Sequence, residues 1–239
     1  MSLKAVLLDF NGTIINDEPV HEELINDLLL QENLRPSPHD FHEICLGRSD
    51  RVCLKEILAR RGRVVSEEYL NSLIARKSQA YQARIATLDP LPIYPEVEEF
   101  LQQLQREELI IGLVTGALRS EVDTVLQRTN LAPYFQVFVT GDEVTTSKPD
   151  PYGYLLAVER LNRLFPHLNI TAQNCLAIED SPAGITAAKQ AKMQVVGIAH
   201  TYPFHMLQRQ TNWTVDRFSE LELERVKAVF AQKTLPVNS

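Results

Sequence analysis

Four short polar segments of this chain carry the functional groups that phosphoryl-group chemistry uses, and each segment follows an apolar run. In chain order, they contain Asp9, Thr115, Gly116, Lys148, Glu179 and Asp180. A carboxylate can attack phosphorus, and a cation with hydrogen-bond donors can stabilise the charge that builds on the phosphoryl oxygens. An acidic pair can hold Mg²⁺, which prefers oxygen ligands. The segments together predict a site that handles a phosphoryl group with magnesium.

Each residue type indicates a role. Asp9 is the candidate nucleophile, which would form an aspartyl-phosphate. Lys148, the Thr115 hydroxyl and the backbone N–H near Gly116 are candidate donors to the phosphoryl oxygens. Asp9 and Asp180 are candidate Mg²⁺ ligands, because this ion takes only one or two protein carboxylates and keeps water and phosphate in its other positions.

The elements that must position these residues are strands of a parallel sheet. Apolar runs of strand length lie at 5–8, 110–114, 137–139, 175–178 and 195–198. Most of these runs are too apolar for half-exposed antiparallel strands, and helical periods such as Val97, Phe100 and Leu104 separate them. The alternation predicts an α/β fold with a doubly wound parallel sheet, in which ligands bind beyond the carboxyl ends of the strands.

One stretch interrupts the alternation of strands and helices. Residues 16–92 contain no strand candidate, only apolar residues at helical spacing, for example around Leu24, Leu54 and Leu70. We therefore predict an inserted all-helical cap domain over residues 16–92 and a core domain made of residues 1–15 and 93–239. The segment after about Lys233 contains a proline and is predicted to fray.

The motifs resemble those of the haloacid dehalogenase superfamily, in the branch with a helical cap, and are similar to those of β-phosphoglucomutases and small sugar-phosphate phosphatases. Asp9-Phe-Asn-Gly-Thr13 resembles the first family motif, Asp-x-Asp-Gly-Thr, at every fixed place but one. The other matching residues are Thr115, Lys148 in Ser-Lys-Pro-Asp-Pro, Glu179, Asp180, and Glu18-Pro19 with His21. The resemblance implies a Rossmann-like core.

The resemblance also implies a Mg²⁺ site and a proton carrier. The ion would be held by the carboxylates of Asp9 and Asp180 and the backbone carbonyl of Asn11, with Glu179 in support. At the place of Asn11, the family has an aspartate that protonates the leaving group and then deprotonates water. An amide keeps the backbone carbonyl but cannot exchange a proton at neutral pH. We therefore expect the metal site to remain and the acid–base function to be lost.

Three functions stay open on this pattern. The first is a magnesium-dependent phosphohydrolase of a small phosphorylated metabolite that acts through Asp9, either slowed by Asn11, adapted to an easier leaving group, or deliberately altered. The second is a phosphosugar mutase of the β-phosphoglucomutase type, and the third is a binding protein without turnover. Metal-free dehalogenase chemistry is disfavoured by the acidic pair Glu179 and Asp180. Phosphonatase chemistry is disfavoured because Lys55 does not lie where its cap lysine is expected.

The sequence allows two alternative positions or roles for each of three further residues. Arg48, in Leu46-Gly-Arg-Ser-Asp50, either binds the distal part of a substrate or is an exposed loop residue. Arg119 reaches either the phosphate or the surface. His21 faces either the cleft between the domains or the packed cap.

Composition limits the partners and the environment. The net charge of −7 argues against nucleic acid or an anionic membrane as the main partner, because both need clustered Lys and Arg. No apolar stretch approaches the roughly 20 residues of a membrane span, and no signal peptide is recognisable. We expect a cytoplasmic monomer with a small-molecule phosphate substrate. Cys45, Cys53 and Cys175 are too few and too widely spaced for a disulfide framework, and are predicted to be reduced thiols.

Overall fold

A computed structural model of the chain describes residues 2–37 and 39–232, and its centre is a parallel sheet. The six strands of the sheet are β1 (Ala5–Leu8), β2 (Ile110–Val114), β3 (Val137–Val139), β4 (Cys175–Glu179), β5 (Gln194–Ile198) and β6 (Trp213–Val215). They lie in the order β3-β2-β1-β4-β5-β6, and every neighbouring pair is parallel. All carboxyl ends therefore meet at one edge, as predicted. The sequence did not predict β6, a three-residue strand in which only Val215 is buried.

Helices cover both faces of the sheet. They are α4 (Val97–Arg106), α5 (Arg119–Thr129), α6 (Tyr152–Leu164), α7 (Pro182–Gln190), α8 (Phe204–Leu207) and α9 (Leu223–Gln232). Successive residues of a strand point to opposite faces. In β1, Val6 and Leu8 pack in one apolar cluster with α4, α5 and α9, whereas Ala5 and Leu7 pack in a second with α6, α7 and α8. The prediction of a doubly wound α/β fold is confirmed.

A helical region follows β1. It consists of α1 (Glu18–Gln31), a π-helical turn (Phe41–Cys45), α2 (Asp50–Arg60) and α3 (Glu67–Ala86). Their apolar faces form a third cluster, which includes Ile25, Ile57 and Leu73. Tyr81 and Ile85, near the end of α3, pack instead into a cluster of the sheet, which fixes the region onto it.

The chain leaves the sheet region and returns to it at adjacent points. The Asn16 N–H donates to the Pro92 carbonyl at 2.8 Å, and the Tyr94 N–H donates to the Ile14 carbonyl at 3.0 Å. The two crossing segments thus form a paired connection. This geometry is compatible with a cap over residues 16–92, and we keep that boundary as a proposal.

The prediction of three reduced thiols was wrong for two of the cysteines. Cys45 and Cys53 form a disulfide, with Cα atoms 4.7 Å apart. Cys45 ends the π-helical turn and Cys53 lies in the first turn of α2, and the loop between them folds back so that both pack in the apolar cluster of the cap. Their proximity depends on this packing, which spacing alone does not reveal. Cys175 is free and buried in β4, and burial raises the pKa of its thiol to about 12.

Within residues 2–37 and 39–232, no helix is long and apolar enough to cross a membrane. The last described helix, α9, ends at Gln232. The predicted frayed segment after Lys233 lies outside the described residues.

Candidate active site

Three buried carboxylates meet at the carboxyl edge of the sheet. Asp9 follows β1, Glu179 ends β4, and Asp180 comes directly after it. β1 and β4 are neighbours with Leu8 opposite Ile178, so the two strands end at the same level. The ligand oxygens of the three carboxylates all lie within 4.8 Å of one another. The cluster has the geometry to hold a metal ion.

The electrostatics of the cluster favour a cation. Burial, and then the charges of Asp9 and Glu179, raise the pKa of Asp180 well above its ordinary value. Burial also raises the pKa of Glu179, although the Lys148 ammonium opposes this. Among the described residues, Glu179 Oε2 has no hydrogen-bond partner. Gly12, at φ +72°, leaves room for Asp180, because a Cβ there would lie 2.1 Å from Oδ2. An all-oxygen donor set with excess negative charge fits Mg²⁺.

Lys148 lies against this cluster. Its Nζ donates to Asp9 Oδ1 at 2.5 Å, to Glu179 Oε1 at 2.7 Å and to the Val114 carbonyl at 3.0 Å. Burial alone would lower the pKa of Lys148, but Asp9 and Glu179 outweigh burial and raise it above its ordinary value. The side chain therefore stays an ammonium, fixed beside the candidate nucleophile.

Thr115 and Gly116 line the same cavity as Asp9. Thr115 Oγ1 accepts the Ala117 N–H at 3.0 Å, and no hydrogen bond in the described residues uses its hydroxyl proton. A Cβ on Gly116 would lie 3.1 Å from the Arg48 carbonyl carbon and the Ser49 nitrogen. The cap loop, residues 46–49 before α2, therefore lies directly against this glycine. The hydroxyl can donate to a ligand, and the glycine permits close approach of the cap.

The cap loop has a second contact with the core. The Ser49 N–H donates to Ser147 Oγ, in the loop that carries Lys148, at 2.8 Å. Arg48 lines the same cavity as Asp9, and its Nη1 pairs with Glu56 at 2.9 Å. The structure therefore places Arg48 at the cavity and not on a remote surface.

Asn11 is half-buried and contacts a cluster of buried polar side chains. Its Nδ2 donates to Asp17 Oδ2 at 2.9 Å and lies 3.0 Å from His21 Nε2. Lys77 Nζ lies 2.6 Å from His21 Nδ1. His21 Nε2 also lies 3.4 Å from Asp17 Oδ2. Both nitrogens of His21 are thus engaged inside the protein.

Lys77 is a functional candidate that sequence reasoning missed. It is 2% exposed, and its Nζ pairs with Asp50 at 2.8 Å and with Glu121, on core helix α5, at 3.3 Å. Burial alone would lower the pKa of Lys77, but the two carboxylates raise it. A sequence signal did exist, because Lys77 lies on the apolar stripe of α3 between Ile74 and Tyr81, and a charge on a buried helix face needs a partner.

Lys77→Met is expected to destabilise the protein by about 3–5 kcal/mol, because it leaves two buried or partly buried carboxylates without their cation. Lys55→Met is the matched control, since Lys55 is exposed and pairs with Glu67 at 3.3 Å, and its change should stay within about 0.5 kcal/mol. Urea unfolding measures both. Equal shifts for the two variants would contradict a buried ionic contact between cap and core.

Arg119 and Lys55 lie outside the cavity. Arg119 Nε pairs with Asp123 at 2.8 Å, and its guanidinium stacks over the Phe138 ring, 4.6 Å from the centroid, on the surface. Of the two alternatives for Arg119, its position therefore agrees with a surface residue. Lys55 is exposed on α2.

A doubly wound sheet that gathers carboxylates and a lysine at its carboxyl edge suits the binding and transfer of a phosphoryl group. The family model of the haloacid dehalogenase-like hydrolases matches residues 3–192. The chain belongs to this family, and it is an enzyme of the phosphatase type.

Named relatives span most of the chain. The β-phosphoglucomutase of Bacillus subtilis is 30% identical over 217 residues, which cover 88% of this chain and 91% of the mutase. The phosphorylated carbohydrates phosphatase of Thermotoga maritima is 28% identical over 201 residues, covering 83% of this chain and 87% of the phosphatase. The crystal structure of a β-phosphoglucomutase from Clostridium difficile has the same fold, with a TM-score of 0.83 at 22% identity, covering 97% of this chain and 98% of that one.

Proposed function

We propose that this protein is a magnesium-dependent phosphatase of a small phosphorylated sugar or a related metabolite. The observation that carries the proposal is the contact of Lys148 with both Asp9 and Glu179 inside one cluster of buried carboxylates. Relatives named for phosphorylated carbohydrates and for phosphoglucose support the substrate class.

The residues of the cluster have distinct roles in this proposal. Asp9 attacks phosphorus and forms an aspartyl-phosphate, which water then hydrolyses. Lys148 and the Thr115 hydroxyl bind the phosphoryl oxygens, with the Gly116 backbone beside them, and stabilise the charge of the transition state. Mg²⁺, when bound by Asp9, Asp180, Glu179 and the Asn11 carbonyl, supplies the positive charge that draws phosphate to a carboxylate nucleophile.

The cap side of the cavity supports a hydroxylated substrate. The Arg48 guanidinium brings donors to it, and the carboxyl groups of Glu18 and Asp50 bring acceptors. A cavity wall with donors and acceptors matches a sugar better than an apolar group. Arg48 is proposed to bind the distal, non-reacting group and to orient the reacting phosphate.

A mutase is the second candidate, because the Bacillus subtilis relative carries that name. In a mutase the phosphoryl group on Asp9 passes to another hydroxyl of a sugar phosphate instead of to water. The products separate the two functions, since a phosphatase releases inorganic phosphate and a mutase yields an isomer.

The test is a turnover screen of aryl phosphates, hexose and pentose phosphates and phosphorylated acids, with Mg²⁺ and with excess chelator. We expect phosphate release that depends on Mg²⁺. No release and no isomer from any compound, together with stabilisation by a sugar phosphate, would favour a binding protein instead.

Mg²⁺ binding has a readout besides activity. At a free concentration about 100 times Kd, the ion should stabilise the fold by about 2.7 kcal/mol, seen as a rise in Tm. Asp180→Asn should remove most of that rise. The exposed carboxylate Asp216 gives the matched control, Asp216→Asn, which should keep it. Equal rises in the two variants would contradict a metal site at the cluster.

A further inference from the structure

The side chain of Asn11 cannot donate or accept the protons that hydrolysis of a phosphate ester requires. An alkoxide leaving group needs a proton, and the water that clears an aspartyl-phosphate must lose one. The amide of Asn11 does neither. Another ionisable group that faces the same cavity must therefore transfer the proton if alkyl phosphates are to be turned over efficiently.

The two ionisable side chains that contact Asn11, His21 and Asp17, already have other partners within the protein. His21 Nδ1 lies 2.6 Å from Lys77 Nζ, and its Nε2 lies 3.4 Å from Asp17 Oδ2 and 3.0 Å from Asn11 Nδ2. Asp17 is fully buried and also accepts from the Tyr81 hydroxyl. Burial would raise the pKa of Asp17, but His21, Tyr81 and Asn11 lower it below its ordinary value. Asp17 is therefore a carboxylate that holds Asn11 and has no proton to give.

Glu18 differs from these neighbours. It is the first residue of α1, and its side chain lines the same cavity as Asp9 and Asn11. Within the described part of the chain, its carboxyl group makes no hydrogen bond and no ion pair. A carboxyl group on the wall of this cavity without a protein partner is available to a ligand.

We propose that Glu18 is the general acid and general base of this enzyme and performs the proton transfers that Asn11 cannot perform. The proposal rests on the proposed phosphatase function. When Asp9 attacks phosphorus and the bond to the leaving oxygen breaks, the Glu18 carboxyl gives its proton to that oxygen. Glu18 then takes a proton from the attacking water while the bond between phosphorus and Asp9 breaks. Phosphate leaves, and Asp9 and Glu18 return to their starting states.

The surroundings of Glu18 suit this cycle. Burial first, and then the charges of Asp180, Asp17 and Asp9, raise the pKa of Glu18 well above its ordinary value, and the Lys77 ammonium opposes this. A bound cation would offset Asp9 and Asp180 but not the burial. The charge of Glu18 also acts on Tyr81, Tyr94 and Tyr202. The other ionisable groups on its cavity wall include His21, Arg48, Asp50 and Glu121. A raised pKa keeps the acid form populated nearer neutral pH, which acid catalysis requires.

Glu18→Gln is the first test, with an alkyl and an aryl phosphate as substrates. The nearly isosteric change should lower kcat/KM for the alkyl phosphate about 10²–10⁴-fold, because general acid–base catalysis is lost. It should change the aryl phosphate only a few fold, since a phenolate departs without a proton. Glu22→Gln, on the same helix but not on the cavity wall, is the matched control and should change neither.

The pH profile gives a second readout. In the parent, the ratio of alkyl to aryl kcat/KM should fall as pH rises through the pKa of Glu18, because the acid form disappears. The ratio should not depend on pH in Glu18→Gln, whereas Glu18→Asp should retain a pH dependence. Equal losses on both substrates, or an unchanged pH profile, would mean that Glu18 only binds and would overturn the proposal.

A double-mutant comparison separates this proposal from the proposed function. In an Asn11→Asp background, a second proton carrier is present, so Glu18→Gln should reduce alkyl turnover less than about tenfold. The same full loss in both backgrounds would overturn the role of Glu18 while leaving the phosphatase intact. No turnover of the aryl phosphate by the parent would contradict the phosphatase function itself, and the role of Glu18 with it.

Discussion

Asp9→Asn is expected to lower phosphate release at least about 10⁴-fold on every substrate, because the variant loses the attacking atom itself. The same carboxylate is a ligand of the candidate metal site and accepts a hydrogen bond from Lys148 Nζ. An amide is a poor nucleophile and a weaker Mg²⁺ ligand. Aryl and alkyl phosphates should suffer alike, since the loss precedes any proton transfer.

The measurement is initial-rate phosphate release, with Asp216→Asn as the control that removes one exposed carboxylate elsewhere. Asp9→Asn should retain the fold, because the side chains are nearly isosteric, and circular dichroism checks this. Turnover within tenfold of the parent, or full turnover of the parent in excess chelator, would contradict the proposed mechanism.

Asn11→Asp is expected to raise turnover of alkyl phosphates about tenfold or more in the parent, because it restores a proton carrier beside the nucleophile. In a Glu18→Gln background the gain should reach about 10²–10⁴-fold, or roughly 2.7–5.4 kcal/mol of barrier. Aryl phosphates should gain much less. The ratio between substrates therefore reports the proton transfer and not a general change in the site.

The surroundings of Asn11 predict how the new carboxyl group titrates. Asn11 Nδ2 lies 2.9 Å from Asp17 Oδ2, so Asn11→Asp loses a donor and places two carboxyl groups side by side. Two carboxylates this close do not both ionise readily, so the pKa of the introduced group should be raised. A raised pKa in the folded state makes stability fall as pH rises through it.

Rates and stability across pH test this second prediction together. The pH–rate profile of Asn11→Asp should gain an ionisation that the parent lacks, and its Tm should decrease with rising pH more than that of the parent. If alkyl turnover stays unchanged in both backgrounds while Mg²⁺ still binds, the acid–base account fails.

The positions of the core site residues followed from the sequence alone. Asp9, Thr115, Lys148, Glu179 and Asp180 each come after an apolar run, and buried parallel strands bring their carboxyl ends to one edge of the sheet. No other information was needed to expect these side chains near one another. The three-residue β6 escaped prediction because only one of its residues is buried and its run is too short to show a period.

Which cap residues line the cavity beside Asp9 depends on how the cap helices pack against the core. The periodicity of the sequence does not encode this packing. The sequence predicted helices within residues 16–92, and α1, α2 and α3 lie in that range. It did not pair Lys77 with Glu121, or Cys45 with Cys53, because each pair joins separate elements whose orientation is set by side-chain packing. The sequence matched Glu18-Pro19 to a family pattern but indicated no chemical role for Glu18. Only the tertiary structure showed that Glu18 lines the same cavity as Asp9, because this depends on how α1 packs.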